Sequence, residues 1–291
     1  MKTTDETLAL LEKGIKELFH SDRYKHFLIK MGQFHKYSFN NCVLIFMQRP
    51  DASFVAGYKV WEYKFHRHVK NGEHGITIIS PTEHVIEKPV FEDGKPVFND
   101  DGMLVTETVK KCSFHTATVF DVSQTEGEPL PNIVKPLTGP VEGFYEYLRA
   151  IEALSPVPVR FEDISQNGYY SPDKQEIVIK RGLSEEQTIK TLLHECSHAL
   201  LSHGVGDDRR TCEVQAESVA FCCCNAFGID SSEFSFGYVT EWSSGKDLRE
   251  LKDSLDMIRD TSNKIIKSVE KHFIETARMQ TARTEERRIS L

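Results

Sequence analysis

The sequence predicts an α+β protein of two domains, a small α+β domain followed by a mainly helical one with a short sheet. Three observations carry this. The chain has 291 residues, more than one domain usually spans. Its hydrophobic pattern switches between helical spacing and β-type alternation several times along the chain. Between the patterned halves runs a Pro/Gly-rich stretch, Glu126-Gly127-Glu128-Pro129-Leu130-Pro131 through Thr138-Gly139-Pro140, suited to a linker. The expected organisation is a first domain over 1–131, a linker over 132–140, a second domain over 141–280 and a flexible Arg-rich tail over 281–291.

The elements follow in order. Leu8, Leu11, Ile15, Leu18 and Phe19 recur at helical spacing, and Tyr24, Phe27, Leu28 and Met31 continue in a second helix. A denser apolar segment at 41–48 ends at Arg49-Pro50-Asp51, where proline stops the helix. Residues 55–61, 75–79 and 113–120 are β-rich, and Phe91-Glu92-Asp93-Gly94-Lys95-Pro96 and Asn99-Asp100-Asp101-Gly102 have turn chemistry. In the second half a helix is expected over 141–154 and a strand over 176–180. Ser184 with Gln187 three residues on is a capping-box pattern, so a long helix is expected from Glu185 to about His203. Beyond Trp242, the spacing of Leu248, Leu251, Leu255 and Ile258, then Ile265, Ile266 and Val269, predicts one or two more helices.

Composition narrows the function classes. Hydrophobic residues make up 39% and charged residues 27%, and the longest apolar run, Cys42 to Met47, is too short to cross a bilayer. No membrane partner is expected. The polar N-terminus has neither the apolar block nor the cleavage site of a signal peptide, so the expectation is a cytoplasmic protein. Seven cysteines without Cys-x-x-Cys spacing agree, and the run Cys222, Cys223, Cys224 reads as small core packing. Net charge is -8, yet between Arg23 and His74 nine Lys or Arg face three Asp or Glu, a local balance of +6. A basic first half in an acidic protein suits contact with a polyanion.

The strongest constellation is Leu192-Leu193-His194-Glu195-Cys196-Ser197-His198-Ala199-Leu200-Leu201, a His-Glu-x-x-His motif on a segment independently expected to be helical. Residues four apart lie on one helix face, so the imidazoles of His194 and His198 can converge on one Zn2+. Glu195 borders the same cleft, placed as catalytic base to take a proton from water acidified by zinc and pass it to a leaving amine. A catalytic zinc wants three protein ligands and one open position. Glu213 and Glu217 fall on one face of a further predicted helix. Glu213 is assigned as the ligand and Glu217 as a carboxylate orienting a ligand histidine, with the reverse left open. Tyr169, Tyr170 and Tyr238 could each donate a hydrogen bond to an oxyanion, and spacing selects none of them. The strand at 176–180 could be the edge strand that holds an extended peptide, or a plain core strand. His203, five residues past His198, is expected to point off the ligand face as a helix C-terminal residue suited to the macrodipole.

Longer stretches carry a family resemblance. Phe34-His35-Lys36-Tyr37-Ser38-Phe39-Asn40-Asn41, Gln48-Arg49-Pro50-Asp51-Ala52, Val55-Ala56-Gly57-Tyr58-Lys59-Val60-Trp61, Gly72-Glu73-His74-Gly75-Ile76 and Val119-Phe120-Asp121-Val122-Ser123-Gln124-Thr125 span about residues 20–131. This part resembles the single-stranded-DNA-binding N-terminal domain of ArdC-type antirestriction proteins carried by mobile elements. The second half resembles the zincin domain paired with it, and more loosely the ImmA/IrrE metallopeptidases. His194, Glu195 and His198 match the family's zinc-binding helix and Glu213 and Glu217 its downstream acidic helix. The chain departs from the pattern at Gln215, where many relatives have Glu before Ala216.

The resemblance implies single-stranded DNA binding by the first domain. Tyr58, Trp61, Tyr63 and Phe65 are aromatic candidates to stack on bases, interleaved with Lys59, Lys64, Arg67 and Lys70 for phosphates. Tyr37, Asn40, Asn41 and Gln48 are further candidate contacts, Asn40-Asn41 with the alternative of capping the next helix. The combined expectation is a zinc metalloendopeptidase recruited to single-stranded DNA, acting on an unidentified protein substrate, in antirestriction or establishment of a mobile element. The alternatives are a non-enzymatic DNA-shielding antirestriction protein and a regulator-cleaving protease whose first domain binds protein.

Overall fold

The computed structural model describes residues 3–99, 101–130 and 143–289. The expected linker at 132–140 and the start of the helix expected at 141–154 lie outside the described residues.

Three helices open the chain, α1 Thr4–Leu18, α2 Ser21–Gln33 and α3 Phe39–Gln48. Thr3 and Glu6 close a capping box on α1. Ser38, and not Asn40 or Asn41, caps α3, its hydroxyl accepting the Asn41 N–H. Helix α3 buries Phe39 and every residue from Asn41 to Phe46, because it packs between α1, α2 and a sheet.

That sheet begins with β1 Val55–Gly57, shorter than the strand expected over 55–61, because the chain turns directly into α4 Tyr58–Phe65. Trp61 and Phe65, four apart and one turn from each other on α4, both pack on Phe54, whereas a strand would hold them roughly 13 Å apart. There follow β2 Arg67–Val69, β3 Ile76–Pro89, the short pair β4 Phe91–Glu92 and β5 Lys95–Pro96, and β6 Thr106–Asp121. A 3-10 turn, Val122–Gln124, leads to β7 Thr125–Gly127, which pairs with β2. β3 and β6 pair antiparallel from Ile76 opposite Val119 to Pro89 opposite Thr106, and β1 lies on the other side of β6. Only the base of this hairpin is buried, so its outer half projects as a two-stranded arm.

The free edge of β3 is covered by side chains. The Asn41 carboxamide donates to Ile79 O at 2.8 Å and accepts from Ile79 N at 2.9 Å. Gln48, two turns along α3, donates to Thr77 O at 2.8 Å and accepts from Thr77 N at 3.1 Å. Two carboxamides thus complete the backbone hydrogen bonding that another strand would supply.

The second half runs α5 Phe144–Leu154, β8 Val159–Glu162, β9 Gly168–Ser171, β10 Glu176–Lys180, α6 Glu185–Leu200, α7 Arg209–Phe227, α8 Val239–Ser243 and α9 Leu248–Ile289. The strand order is β8-β10-β9. The strand at 176–180 is therefore central, with Ile177, Val178 and Ile179 buried, and β8 and β9 are the edges. Helix α9 is one element where one or two were expected, and its backbone continues through 281–289 of the expected tail, where the good helix formers Arg and Glu recur.

Helices of the two halves share a core. The fully buried Tyr24 of α2 places its hydroxyl 2.8 Å from Ser218 Oγ on α7, and Cys222 Sγ donates to Leu28 O at 3.4 Å. Cys222, Cys223 and Cys224 are wholly buried thiols, as expected for core packing, and burial pushes Cys222 up to about 12. No helix among the described residues is long and apolar enough to cross a membrane.

Candidate metal centre

Helix α6 starts where Ser184 accepts the Gln187 N–H at 3.2 Å, and it buries Ile189, Leu192, Leu193 and Cys196. Burying that face leaves His194 and His198, one turn apart, on the cleft side with their Nε2 atoms 3.1 Å apart. Helix α7, capped by Asp208, packs against α6 and brings Glu213 Oε2 to 3.4 Å from His194 Nε2 and 3.8 Å from His198 Nε2. One donor atom from each of the three lies within 4.8 Å of the others. Imidazole nitrogens bound at about 2.0–2.1 Å to a tetrahedral ion stand roughly 3.3 Å apart, so the two histidines are spaced for one divalent cation.

Glu217, one turn further along α7, is occupied differently. Its carboxylate accepts the Tyr238 hydroxyl hydrogen, and burial raises its carboxyl above the ordinary value. Tyr238 consequently has its proton committed to Glu217 and is not a free oxyanion donor. Tyr169 and Tyr170 lie on β9 beside the cleft, and the Tyr170 hydroxyl accepts from Gln175 Nε2 at 3.4 Å.

The charges interlock. Hydrogen bonds from His194 and His198 hold Glu213 well below the usual carboxylate range. Burial disfavours the charged form of His194, yet the hydrogen bond to Glu213 and the charges of Glu195, Glu213 and Glu217 outweigh it and raise its value. Burial raises Glu195 against the opposing pull of His194, His198 and the Tyr170 N–H. A carboxylate made more basic in this way is better suited to take a proton. Cavities of about 400 Å³ and about 590 Å³ both border His194 and Glu195. The first reaches Lys190 and Phe234, the second Tyr169, Arg209 and Glu213.

His203 departs from its expected role. Helix α6 ends at Leu200, short of His203, in a Schellman turn: Ser202 takes a left-handed φ of 57°, Ser202 N donates to Ala199 O at 3.1 Å and His203 N to His198 O at 3.1 Å. This turn folds the imidazole of His203 back, so that its Nδ1 lies 2.9 Å from His198 Nδ1. The sequence signal for it was weak, since glycine usually marks such a turn and serine stands here.

The candidate DNA-contact residues divide. Trp61 is fully buried and its indole N–H donates to Phe120 O at 2.9 Å, so its ring is core and offers no face for a base. Asn41 and Gln48 are spent on the edge of β3, and the Tyr37 hydroxyl donates to Val55 O at 2.9 Å. The Arg67 guanidinium braces Thr125, and Lys70 Nζ donates to Ser123 O at 3.0 Å. Asn40 is half-buried on α3. Tyr58, Lys59, Tyr63 and Lys64 are exposed together on α4, with Tyr63 73% exposed.

Residues 2–120 match the family described as the N-terminal domain of anti-restriction factor ArdC. The resemblance read from the sequence for the first half is borne out by that match. The chain is also 28% identical, over 286 aligned positions covering 85% of it and 48% of its counterpart, to the uncharacterized protein pXO2-81 of Bacillus anthracis. It therefore spans about half the length of that curated relative. Two crystal structures of the antirestriction ArdC protein from the R388 plasmid are similar. The metal-free one has a TM-score of 0.47 and 20% identity, covering 83% of this chain and 86% of that one. The Mn(II)-bound one has a TM-score of 0.45 and 19% identity, covering 80% and 83%.

Proposed function

We propose that this chain is a zinc-dependent endopeptidase brought to single-stranded DNA by its first domain, serving antirestriction or establishment of a mobile element. The observation that carries the reading is the convergence of His194, His198 and Glu213 with Glu195 beside them, facing a cleft that opens on both sides. Two imidazoles and a carboxylate suit zinc, a borderline ion that accepts nitrogen and oxygen donors. Zinc held there supplies Lewis acidity, polarising a carbonyl and acidifying water towards neutral pH. Glu195, beside the two histidines, would take the proton of the attacking water and return it to the leaving amine. β9, the edge strand of its sheet that lies against α6, offers backbone groups to an extended peptide lying across the cleft. On α4, Lys59 and Tyr63 are four apart and both exposed, so a phosphate and a base can be met from one helix face.

The test is zinc content per chain by elemental analysis, with hydrolysis of an unfolded casein substrate by wild type and Glu195→Gln, and binding of a labelled oligonucleotide on the same samples. One zinc in both proteins, with hydrolysis confined to wild type, supports the reading. DNA binding without zinc would leave a shielding protein, and turnover unchanged in Glu195→Gln would remove that residue from the chemistry.

A further inference from the structure

We infer that Gln215 and His203 form a positioning relay that selects the tautomer of His198, keeping the His198 Nε2 lone pair turned to the metal site. The inference rests on the metal-centre reading above. It starts from Gln215, which sits on α7 two residues past Glu213 but points away from the metal donors and is buried.

The chain of contacts is continuous. Gln215 Oε1 lies 2.8 Å from His203 Nε2, His203 Nδ1 lies 2.9 Å from His198 Nδ1, and His198 Nε2 lies 3.1 Å from His194 Nε2. Each neutral imidazole has one donor and one acceptor nitrogen, so fixing one end of this chain fixes all of it. Two orientations of the Gln215 carboxamide are conceivable, and the far side of the amide decides between them. There the amide nitrogen donates to Ser254 Oγ at 2.9 Å and faces Met257 Sδ at 3.9 Å. A thioether only accepts, so the NH2 group belongs on the Ser254 and Met257 side and the carbonyl oxygen on the His203 side.

The rest follows by donor and acceptor bookkeeping. The carbonyl of Gln215 accepts from His203 Nε2–H, so His203 Nδ1 carries a lone pair. That lone pair accepts from His198 Nδ1–H, and His198 Nε2 is left unprotonated toward His194 and Glu213. With the amide reversed, every proton would move one place along, and His198 Nε2–H would point into the metal site and block it. His203 reaches its place only through the left-handed turn at Ser202, so the relay is built by the end of α6 and the middle of α7 together. An imidazole in this chain stands where a carboxylate or backbone carbonyl more often orients a metal-binding histidine.

The experiment uses the full chain, metal-free and zinc-loaded. In the metal-free protein with 15N-labelled histidine, ring nitrogen shifts are expected to show His198 protonated on Nδ1 and His203 on Nε2. Gln215→Glu, a pure acceptor, keeps that pattern and zinc affinity within about threefold. Gln215→Met, which removes the acceptor while keeping length, weakens zinc binding by about 10- to 100-fold in competition with a chromophoric chelator. Cys223→Ala, which removes a buried thiol between α7 and α9 without touching the amide, controls for general loosening of the two helices and leaves the ring shifts in place. His198 protonated on Nε2 in wild type overturns the inference, as does a folded Gln215→Met that binds zinc as tightly as wild type. If Gln215→Met does not fold, the wild-type ring shifts still decide. Absence of zinc binding by wild type would instead sink the metal-centre reading, while the ring shifts still report on the relay.

Discussion

Glu213 Oε2 lies 3.4 Å from His194 Nε2, while Glu217, one turn along the same helix, gives its carboxylate to the Tyr238 hydroxyl. Two acidic side chains on one helix face therefore have different partners. One is drawn into the histidine pair and the other is held by a tyrosine.

From this difference, Glu213→Ala is expected to lose the metal, with affinity falling at least 100-fold. Glu217→Ala keeps one ion per chain with a loss of about 10- to 100-fold at most, as for a residue that does not itself bind the ion. Isothermal titration of the metal-free protein with zinc checks both, and the reverse ranking would make Glu217 the ligand.

Trp61 and Tyr63 sit two residues apart on α4 with opposite exposures, fully buried against 73%. Trp61→Ala is expected to destabilise the protein by about 3–5 kcal/mol through lost burial. Tyr63→Ala is expected to leave stability within about 0.5 kcal/mol and to weaken single-stranded DNA binding by about 1–3 kcal/mol. Denaturant unfolding and fluorescence anisotropy of a labelled oligonucleotide separate the two. Unchanged affinity in Tyr63→Ala would move the DNA face off α4.

The carboxamide clamp on β3 makes a third prediction. Asn41→Ala strips the hydrogen-bond partners from both backbone groups of Ile79, at a cost of about 1–3 kcal/mol. Amide exchange at Ile79 is expected to accelerate while Trp61 remains protected. Exchange unchanged at Ile79 would mean that the clamp contributes nothing.

Asp121, 2% exposed, accepts from the backbone N–H groups of Ser53, Phe54 and Ser123 and from the Ser123 hydroxyl. Burial opposes its charge, but these four donors hold the carboxyl below its ordinary value of 3.8. A depressed carboxyl contributes stability that is present above the unfolded value and is lost as pH falls through the folded one. Asp121→Asn is thus expected to cost about 2 kcal/mol at pH 7, with the gap to wild type narrowing below about pH 4. Urea unfolding at pH 7 and pH 3 measures it, and an equal gap at both would assign the effect to shape alone.

Several features were legible before any tertiary contact was known. The His-Glu-x-x-His helix, its serine cap and the downstream acidic helix are local, because helical spacing alone puts residues four apart on one face. The first three helices and the buried cysteines were readable for the same reason, since periodicity and residue size report on burial directly. Residues 58–61, the first half of α4, were expected in a strand because Tyr, Val and Trp favour strands by propensity, and packing of Trp61 against Phe54 overrides that preference.

What the sequence determined by itself is the chemistry available: two imidazoles and a carboxylate beside them on one helix, acidic candidates on the next, and a first domain of recognisable type. What only the tertiary structure decided is how polar groups are spent. Asn41 and Gln48 cover a strand edge, Trp61 fills the core, Tyr238 takes Glu217, and His203 folds back on His198. A buried donor or acceptor must find a partner wherever the fold brings one, and Tyr24 finds Ser218 across 194 residues of sequence, beyond the reach of any local pattern.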